Sequence, residues 1–220
     1  MNVPQCIERY SAGLESIGRE RPPAPRWAQD WFPRLDAAAA YAIVRATRPR
    51  RIVEVGSGHS TRFLARAVAD EGLATRITAI DPEPRASLAG LPVQWLELPV
   101  QQVDPEIFRA LEPDDILFID SSHQRKPGSD VEFLMAEALP RLERGVRVHF
   151  HDIFLPDDYP AAWAWRRYNE QPAVAGLLAG DFRLEFSSHQ ALRGGPLPAI
   201  VSRLPLPPGA IESSLWLRKL

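Results

Sequence analysis

Residues 52–61 read Ile-Val-Glu-Val-Gly-Ser-Gly-His-Ser-Thr, and this stretch decides the fold. A short apolar run that contains one acid leads directly into a Gly-x-Gly turn. The next segment has apolar residues at helical spacing, namely Phe63, Leu64, Ala67 and Val68. The pattern predicts a strand, a glycine turn and a helix. Glycine allows close approach of the backbone to a ligand, and a helix start offers unpaired N–H groups, so we expect a nucleotide-like cofactor here.

Alternating strands and helices are predicted along the rest of the chain. The strands are predicted at 52–55, 76–80, 93–98, 116–119 and 146–150. The helices are predicted at 34–47, 83–89, 105–111, 129–141 and 160–179. Two late alternating segments, 182–186 and 215–217, have no full crossover helix between them and predict an antiparallel edge pair. The pattern therefore indicates an α/β fold with a mostly parallel, doubly wound sheet.

Composition and charge exclude several classes of function. The formal net charge is −2, so bulk electrostatics do not favour nucleic acid. The single cysteine, Cys6, excludes an internal disulfide and fits a reducing, cytoplasmic location. The N-terminus has no long apolar run, hence no signal peptide or membrane span is expected. A basic cluster before the first strand is interpreted as a solvated helix end, and it consists of Arg45, Arg48, Arg50 and Arg51.

One domain is predicted, at 34–220, preceded by an N-terminal arm or lid at 1–33. Prolines collect in two stretches, which predict extended connectors rather than separate domains. These prolines are Pro22, Pro23 and Pro25 in the arm, and Pro196, Pro198, Pro205, Pro207 and Pro208 near the C-terminus.

Polar side chains follow four of the predicted strands. In a doubly wound sheet, ligands bind beyond the carboxyl ends of the strands, so these side chains are expected to meet at one edge. They are Ser57 and His59 with Gly56 and Gly58 after the first strand, Asp81 after the second, Asp120, Ser121, Ser122 and His123 after the fourth, and His151 and Asp152 after the fifth. His59 is expected to cap the helix start rather than to act in catalysis.

Asp81 has a specific role available to it. A carboxylate at this position can accept two hydrogen bonds from ribose hydroxyls. The alternative is a simple Asp-Pro turn, since both residues suit turns. The strand, turn and helix upstream favour ribose binding.

Two cofactors compete for the glycine turn. A dinucleotide fingerprint requires G-x-G-x-x-G, but Thr61 stands at the third glycine position. Glu54, two residues before Gly56, is not part of that fingerprint. It does match the first motif of another group of nucleotide-like cofactor enzymes.

The chain resembles the class I S-adenosylmethionine-dependent methyltransferases, most closely the small bacterial methyltransferase family 24. The segments that carry the likeness are 53–61, 78–82, 115–123, 128–131, 149–156, 168–171 and 214–218. The resemblance implies S-adenosylmethionine as methyl donor and a seven-stranded sheet with an antiparallel last pair. It also implies the residues of the cofactor site, which are Glu54, Gly56, Ser57, Gly58, Ser60, Asp81 and Asp120.

Asp120, His123, His151 and Asp152 are the candidate catalytic residues, and two routes stay open for them. A histidine of near-neutral pKa can act as general base for an attacking hydroxyl. Alternatively, Asp120 and Asp152 share a divalent cation such as Mg, which lowers the pKa of the hydroxyl. The catechol-type O-methyltransferases, a metal-dependent group that the chain also resembles, have Asp-Asn after the fifth strand. This chain has His151-Asp152 at that place.

The sequence also suggests roles for one histidine and two tryptophans. His149 is interpreted as a satisfied interior histidine. Trp163 and Trp165 are expected to serve core or lid packing, with a substrate wall as the alternative.

The expected activity is methyl transfer to a hydroxyl oxygen of a small-molecule or glycan acceptor. The alternatives are a nicotinamide-dependent oxidoreductase on the same fold and a non-catalytic S-adenosylmethionine-binding protein. No nucleic-acid or membrane partner is expected, and a homodimer is considered. The acceptor pocket is expected to be built by 1–33, 121–128 and 153–170, whose patterns are the weakest in the chain.

Overall fold

A seven-stranded sheet lies at the centre of the structure, a computed structural model that describes residues 1–194 and 197–220. The strands are β1 (Arg51–Val55), β2 (Arg76–Ile80), β3 (Gln94–Leu96), β4 (Ile116–Ile119), β5 (Arg147–Phe150), β6 (Phe182–Ser187) and β7 (Leu215–Lys219). Their order across the sheet is β3-β2-β1-β4-β5-β7-β6. β7 is antiparallel to both β5 and β6, and the other pairs are parallel. The predicted doubly wound sheet with an antiparallel C-terminal pair is confirmed.

Helices cover both faces of this sheet. They are α1 (Val3–Arg9), α2 (Ser11–Ser16), α3 (Arg34–Thr47), α4 (His59–Asp70), α5 (Glu106–Arg109), α6 (Asp130–Phe133), α7 (Gln171–Ala179), α8 (Ser188–Gly194) and α9 (Ala199–Arg203). Among the described residues, none of the helices combines the length and the apolar character that crossing a membrane requires. Pro196, one of the C-terminal prolines, lies outside the described residues.

Alternate residues of the central strands enter two separate hydrophobic cores. On β4, Ile116 and Phe118 pack into the core shared with α1, α3 and α4. Leu117 and Ile119 pack into the core on the opposite face. Successive side chains of a strand point to opposite faces, and a strand covered on both sides is apolar throughout. The continuous apolar runs in the sequence therefore identified the central strands correctly.

The N-terminal arm contains helices that the sequence pattern did not predict. α1 contacts α3 across the first core, and Val3, Ile7 and Leu14 of the arm are buried. The spacing of Val3 and Ile7 places both on one helical face. Two of the arm's aromatic residues, Trp27 and Phe32, are also buried in this core. The arm therefore packs against the sheet domain over much of its length.

Two helices predicted near the site differ from the structure. The helix predicted at 83–89 is wrong, because this segment forms bends in which the Glu83 N–H donates to Asp81 Oδ1 and the Arg85 N–H to the Ser57 carbonyl oxygen. The helix predicted at 160–179 is broken at Arg167, whose backbone is left-handed with φ 56°. A 3₁₀ turn over Ala161–Arg166 precedes the break, and α7 begins beside Pro172.

The helix predicted at 129–141 changes its winding along its length. Ser129 caps α6 as predicted, since its Oγ accepts the Glu132 N–H at 3.1 Å. A π-helical stretch over Leu134–Ala138 and a 3₁₀ turn over Leu139–Arg141 follow. Pro140 lies in that last turn and lacks the N–H that a regular helix needs.

Each arginine of the basic cluster before β1 has a carboxylate partner. Glu71 pairs with two of its members and Glu112 with the other two, giving Arg45–Glu71, Arg48–Glu71, Arg50–Glu112 and Arg51–Glu112. Two carboxylates balance only part of the four positive charges, and the Arg48 and Arg50 side chains are 56 % and 75 % exposed. This exposure agrees with the interpretation as a solvated helix end.

Candidate active site

A cavity of about 670 Å³ opens at the carboxyl ends of β1, β2, β4 and β5. It is the place where the sequence predicted the site. The lining residues include Gly56, Ser57, Ser60, Asp81, Asp120, His123, His151 and Asp152. Asp30, Trp31 and Phe32 of the arm lie on one side, and Trp163, Arg166 and Tyr168 line another part of the wall.

The close approach of neighbouring backbone, and not only of a ligand, requires glycine at Gly56 and Gly58. Both have positive φ, +79° at Gly56 and +144° at Gly58. A Cβ at Gly56 would lie 1.8 Å from the carbonyl oxygen of Asp120, and one at Gly58 would lie 2.9 Å from the Ala86 nitrogen. The sequence explained these glycines by ligand approach alone. The structure adds a tight junction between the turn after β1 and the end of β4.

Thr61 has a structural role where a dinucleotide fingerprint has its third glycine. Its Oγ1 accepts the Gly58 N–H at 2.9 Å, which ties the glycine turn to the first turn of α4. His59 begins α4 and is buried. Burial and the nearby Arg62 and Arg26 lower its pKa to about 4, so its ring is neutral near pH 7.

Asp81 is fixed at the end of β2 with its carboxylate at the cavity wall. Its Oδ2 accepts the Ser57 N–H at 2.6 Å and the Ser57 hydroxyl at 3.0 Å. Its Oδ1 accepts the Glu83 N–H at 2.8 Å. A carboxylate has about four lone-pair sites, so this group retains the capacity to accept hydroxyl hydrogen bonds.

Glu54 lies behind the glycine turn rather than on the cavity wall. It is fully buried, and its Oε1 accepts the Ser60 hydroxyl at 2.6 Å, while Ser60 itself lines the cavity. Its Oε2 has no hydrogen-bond partner among the described residues. Burial raises the pKa of Glu54 to about 8. Near pH 7 this group is therefore mostly protonated and neutral.

Two aspartates and two histidines form a buried histidine–carboxylate cluster at the ends of β4 and β5. The Nε2 of His123 lies 3.3 Å from Asp120 Oδ1 and 3.6 Å from Asp152 Oδ2. The Nδ1 of His151 lies 3.5 Å from an oxygen of each aspartate. The structure therefore brings together all four predicted catalytic residues.

Each histidine of this cluster has a second carboxylate on its far side, which the sequence analysis missed. Glu170 Oε2 lies 3.0 Å from His123 Nδ1, and Asp36 Oδ2 lies 3.2 Å from His151 Nε2. Both carboxylates are buried. Glu170 is in the Tyr-Asn-Glu-Gln segment at 168–171, which was noted only as part of the resemblance. Asp36 is 115 residues from His151, and no local pattern connects them.

The charges of the cluster reinforce one another. Burial by itself would lower the pKa of His123, but Asp120 and Glu170 outweigh it and raise that pKa well above its usual value. Burial would also lower the pKa of His151, but Asp120 and Asp152 outweigh this effect and raise that pKa well above its usual value. Burial would raise the pKa of Asp120, yet the two histidines hold it well below its usual range. Asp120, His123 and His151 are therefore charged near neutral pH.

The backbone is unusual at two members of the cluster. His123 and Asp152 both have left-handed backbones, with φ of 57° and 55°. Such conformations are uncommon for residues other than glycine and cost about 1–3 kcal/mol each, and they concentrate at functional sites. Both residues stay in place through the contacts of the cluster.

The predicted metal site at Asp120 and Asp152 does not fit the arrangement of the side chains. Within residues 1–194 and 197–220, no three His, Cys, Asp or Glu side chains are grouped so that they could hold a metal ion. Nitrogens of His123 and His151 lie within 3.6 Å of both carboxylates. With raised pKa values, these imidazoles supply the positive charge that a cation would bring.

Two sequence interpretations concern aromatic residues. His149 is interior, as predicted, since it is fully buried and its ring stacks on Phe118 with centroids 3.7 Å apart. It is only half satisfied, because its Nε2 lies 2.9 Å from the Ser214 hydroxyl while its Nδ1 has no partner among the described residues. Trp163 lines the cavity and also packs edge-on against Phe154. Trp165 does not pack in the core, because 75 % of it is exposed.

Comparison with known proteins finds a matching domain family. Residues 53–153 match the family Methyltransf_24, described as a methyltransferase domain. This match, over just under half of the chain, supports the predicted class I S-adenosylmethionine-dependent methyltransferase. The match covers the glycine turn, Asp81 and the histidine–carboxylate cluster except for its outer carboxylates. No curated protein sequence matches this chain.

Solved structures of methyltransferases share its fold. The S-adenosylhomocysteine-bound methyltransferase PaMTH1 of Podospora anserina is 16 % identical, with a TM-score of 0.56, and the match covers 100 % of this chain and 88 % of that chain. The O-methyltransferase TomG of Streptomyces achromogenes, in complex with S-adenosylmethionine, is 16 % identical with a TM-score of 0.52, covering 100 % and 90 %. A structure of cmcI with Mg and S-adenosylmethionine is 16 % identical with a TM-score of 0.50, covering 93 % and 87 %.

The cavity fits S-adenosylmethionine on two observations. Asp81 presents a fixed carboxylate to the cavity, and a carboxylate can accept the hydrogen bond of a ribose hydroxyl. Glu54 holds a buried oxygen without a partner among the described residues, one hydroxyl contact away from the cavity through Ser60. A sulfonium or ammonium group bound nearby would lower the raised pKa of Glu54 and favour its ionised form.

Proposed function

We propose that this methyltransferase transfers the methyl group of S-adenosylmethionine to a hydroxyl oxygen of a small-molecule or sugar acceptor. The observation that carries the proposal is one cavity that joins the cofactor residues of β1 and β2 to the histidine–carboxylate cluster of β4 and β5. The likeness of the fold to the O-methyltransferase TomG supports the choice of oxygen.

The cofactor is held by the ends of the first two strands. Asp81 would accept the hydrogen bond of a ribose hydroxyl, while the glycine turn and the start of α4 offer backbone N–H groups. Ser60, with Glu54 behind it, would face the positively charged methionine end. When bound, S-adenosylmethionine supplies an electrophilic methyl group on a sulfonium sulfur.

The histidine–carboxylate cluster removes the proton of the acceptor hydroxyl. As the oxygen–carbon bond forms and the carbon–sulfur bond breaks, the hydroxyl proton must leave. Asp120 is the member that faces the open cavity, since its side chain is 27 % exposed against 4 % for His123. Asp120 therefore accepts the hydrogen bond of the hydroxyl and orients it. His123, in its neutral form, takes the proton.

A methyl-transfer assay tests the proposal. The full chain is incubated with S-adenosylmethionine and a panel of phenolic and sugar hydroxyl acceptors, and mass spectrometry locates the added methyl group. His123→Ala is expected to lower turnover about 10²- to 10⁴-fold, because a positioned base contributes that much. His189→Ala serves as the control, because His189 pairs with Asp157 and is not part of the cavity wall.

Three outcomes would contradict parts of the proposal. Wild-type turnover by His123→Ala would remove the histidine as base, and methylation of nitrogen alone would remove the hydroxyl acceptor. If a chelator abolished the activity and magnesium restored it, the metal-assisted route through Asp120 and Asp152 would be supported instead. The cytoplasmic location and the homodimer stay predictions.

A further inference from the structure

Arg166 lines the cavity, and contacts with the loop that carries His123 hold it there. Gln124 Nε2 donates to the Arg166 carbonyl oxygen at 3.1 Å, and the Asn169 N–H donates to the His123 carbonyl oxygen at 3.0 Å. The Tyr168 ring lies 4.6 Å from the His123 ring. The position of Arg166 is therefore fixed relative to the proposed base.

The guanidinium of Arg166 lies among three aromatic rings. Its central carbon is 4.2 Å from the ring centroid of Trp163, 5.2 Å from that of Trp165 and 5.5 Å from that of Tyr168. Its Nη1 donates to the Tyr168 hydroxyl at 3.0 Å. These contacts hold the planar cation in one orientation.

The hydrogen-bonding capacity of this cation is largely unused. A guanidinium has five N–H donors, yet the buried Nε of Arg166 has no partner in the described part of the chain. No carboxylate of the described residues pairs with it within 4.0 Å. Two other arginines with little exposure have such partners, in Arg34–Glu212 and Arg147–Glu185, each at 2.8 Å. Arg62 also has no carboxylate partner among the described residues, but its Nη2 donates to the Ser87 carbonyl oxygen at 2.8 Å and it does not line the cavity.

Four of the six carboxylates that line the same cavity already have partners, and the other two, Asp30 and Glu83, are exposed and do not pair with Arg166. Asp81 is bonded to Ser57, Asp130 to Ser122, and Asp120 and Asp152 to the two histidines. A part-buried cation without an anion is costly, and the missing partner is best supplied by a ligand.

We propose that Arg166 binds an anionic group, a carboxylate or a phosphate, of the hydroxyl-bearing acceptor. The planar fork of a guanidinium suits both groups through paired hydrogen bonds. The inference rests on the proposed function and narrows its acceptor class. It makes Arg166 a specificity residue that directs the acceptor hydroxyl towards Asp120 and His123.

Matched pairs of neutral and anionic hydroxyl compounds test the inference. The chain is saturated with S-adenosylhomocysteine and titrated calorimetrically with catechol against 3,4-dihydroxybenzoate, and with glucose against glucose 6-phosphate. The wild-type chain is expected to bind the anionic member of one pair about 10- to 100-fold more tightly, which is the value of hydrogen bonds to a charged group. The pair that shows the preference distinguishes a carboxylate from a phosphate.

Variants assign the preference to Arg166. Arg166→Gln is expected to remove it, and Arg166→Lys to reduce it, because lysine keeps the charge without the fork. Arg167→Gln is the matched control, since Arg167 is the exposed neighbour, and it should keep the preference. If Arg166→Gln fails to fold, the comparison of Arg166→Lys with the control carries the test.

The inference is overturned if the wild-type chain shows no preference for either anion, or if the arginine variants keep it. S-adenosylmethionine binding is measured on the same samples. A folded wild-type chain that does not bind S-adenosylmethionine would refute the proposed function. Retained cofactor binding without the preference refutes the role of Arg166 alone.

Discussion

At the scale of the residue, Glu170 sets the working pH of the proposed base. Its carboxylate, 3.0 Å from His123 Nδ1, contributes to the raised pKa of that histidine. A base works in its deprotonated form, so activity rises as the pH passes that pKa. Removing an adjacent opposite charge shifts a pKa by about 1–3 units. Glu170→Gln should therefore move the acid limb of the kcat/KM profile to lower pH by about that amount.

The control for this measurement is Glu137→Gln, because Glu137 is a partly exposed glutamate that pairs with Arg141 and does not line the cavity. A purely structural role of Glu170 would lower activity at every pH and leave the acid limb in place. That outcome would contradict its role beside His123.

At the scale of the element, the junction of β1 with β4 depends on Gly56. An added Cβ would lie 1.8 Å from the Asp120 carbonyl oxygen, in a backbone with φ +79°. Gly72 also has a positive φ, but an added Cβ there meets nothing within 4 Å. We expect Gly56→Ala to lower the free energy of unfolding by more than about 3 kcal/mol, and Gly72→Ala by about 1–2 kcal/mol.

Urea denaturation of the two alanine variants provides the check. Equal losses of stability would show that the left-handed backbone alone, and not the close approach of β4, requires glycine at position 56.

The elements that the sequence predicted correctly are those with an unambiguous local pattern. The apolar run at 116–119 and the capping residue Ser129 needed no tertiary information. The helix predicted at 83–89 failed because its first backbone donors bond to the Asp81 side chain and to the Ser57 carbonyl oxygen. Glu170 and Asp36 were missed because the fold, and not the local sequence, places them beside the histidines.

At the scale of the whole molecule, Glu54 makes stability depend on pH. Its folded pKa of about 8 lies above the usual 4.5, so folding favours the protonated form. Stability is then full below the unfolded pKa and falls as the pH rises through the folded pKa, by on the order of 1 kcal/mol per pH unit. Glu54→Gln, a neutral side chain of the same shape, should flatten this dependence between pH 5 and pH 8 in chemical denaturation. An unchanged slope would contradict the assignment.

The direct test of the central claim, a cavity built for S-adenosylmethionine, is isothermal titration calorimetry with that compound on the full chain. We predict one binding site, weakened about tenfold or more by Asp81→Asn, because hydrogen bonds to a charged acceptor are lost. Asp104→Asn, at an exposed loop position, should bind like the wild-type chain. A folded wild-type chain that shows no binding would contradict the account, and so would an Asp81→Asn variant that binds with unchanged affinity.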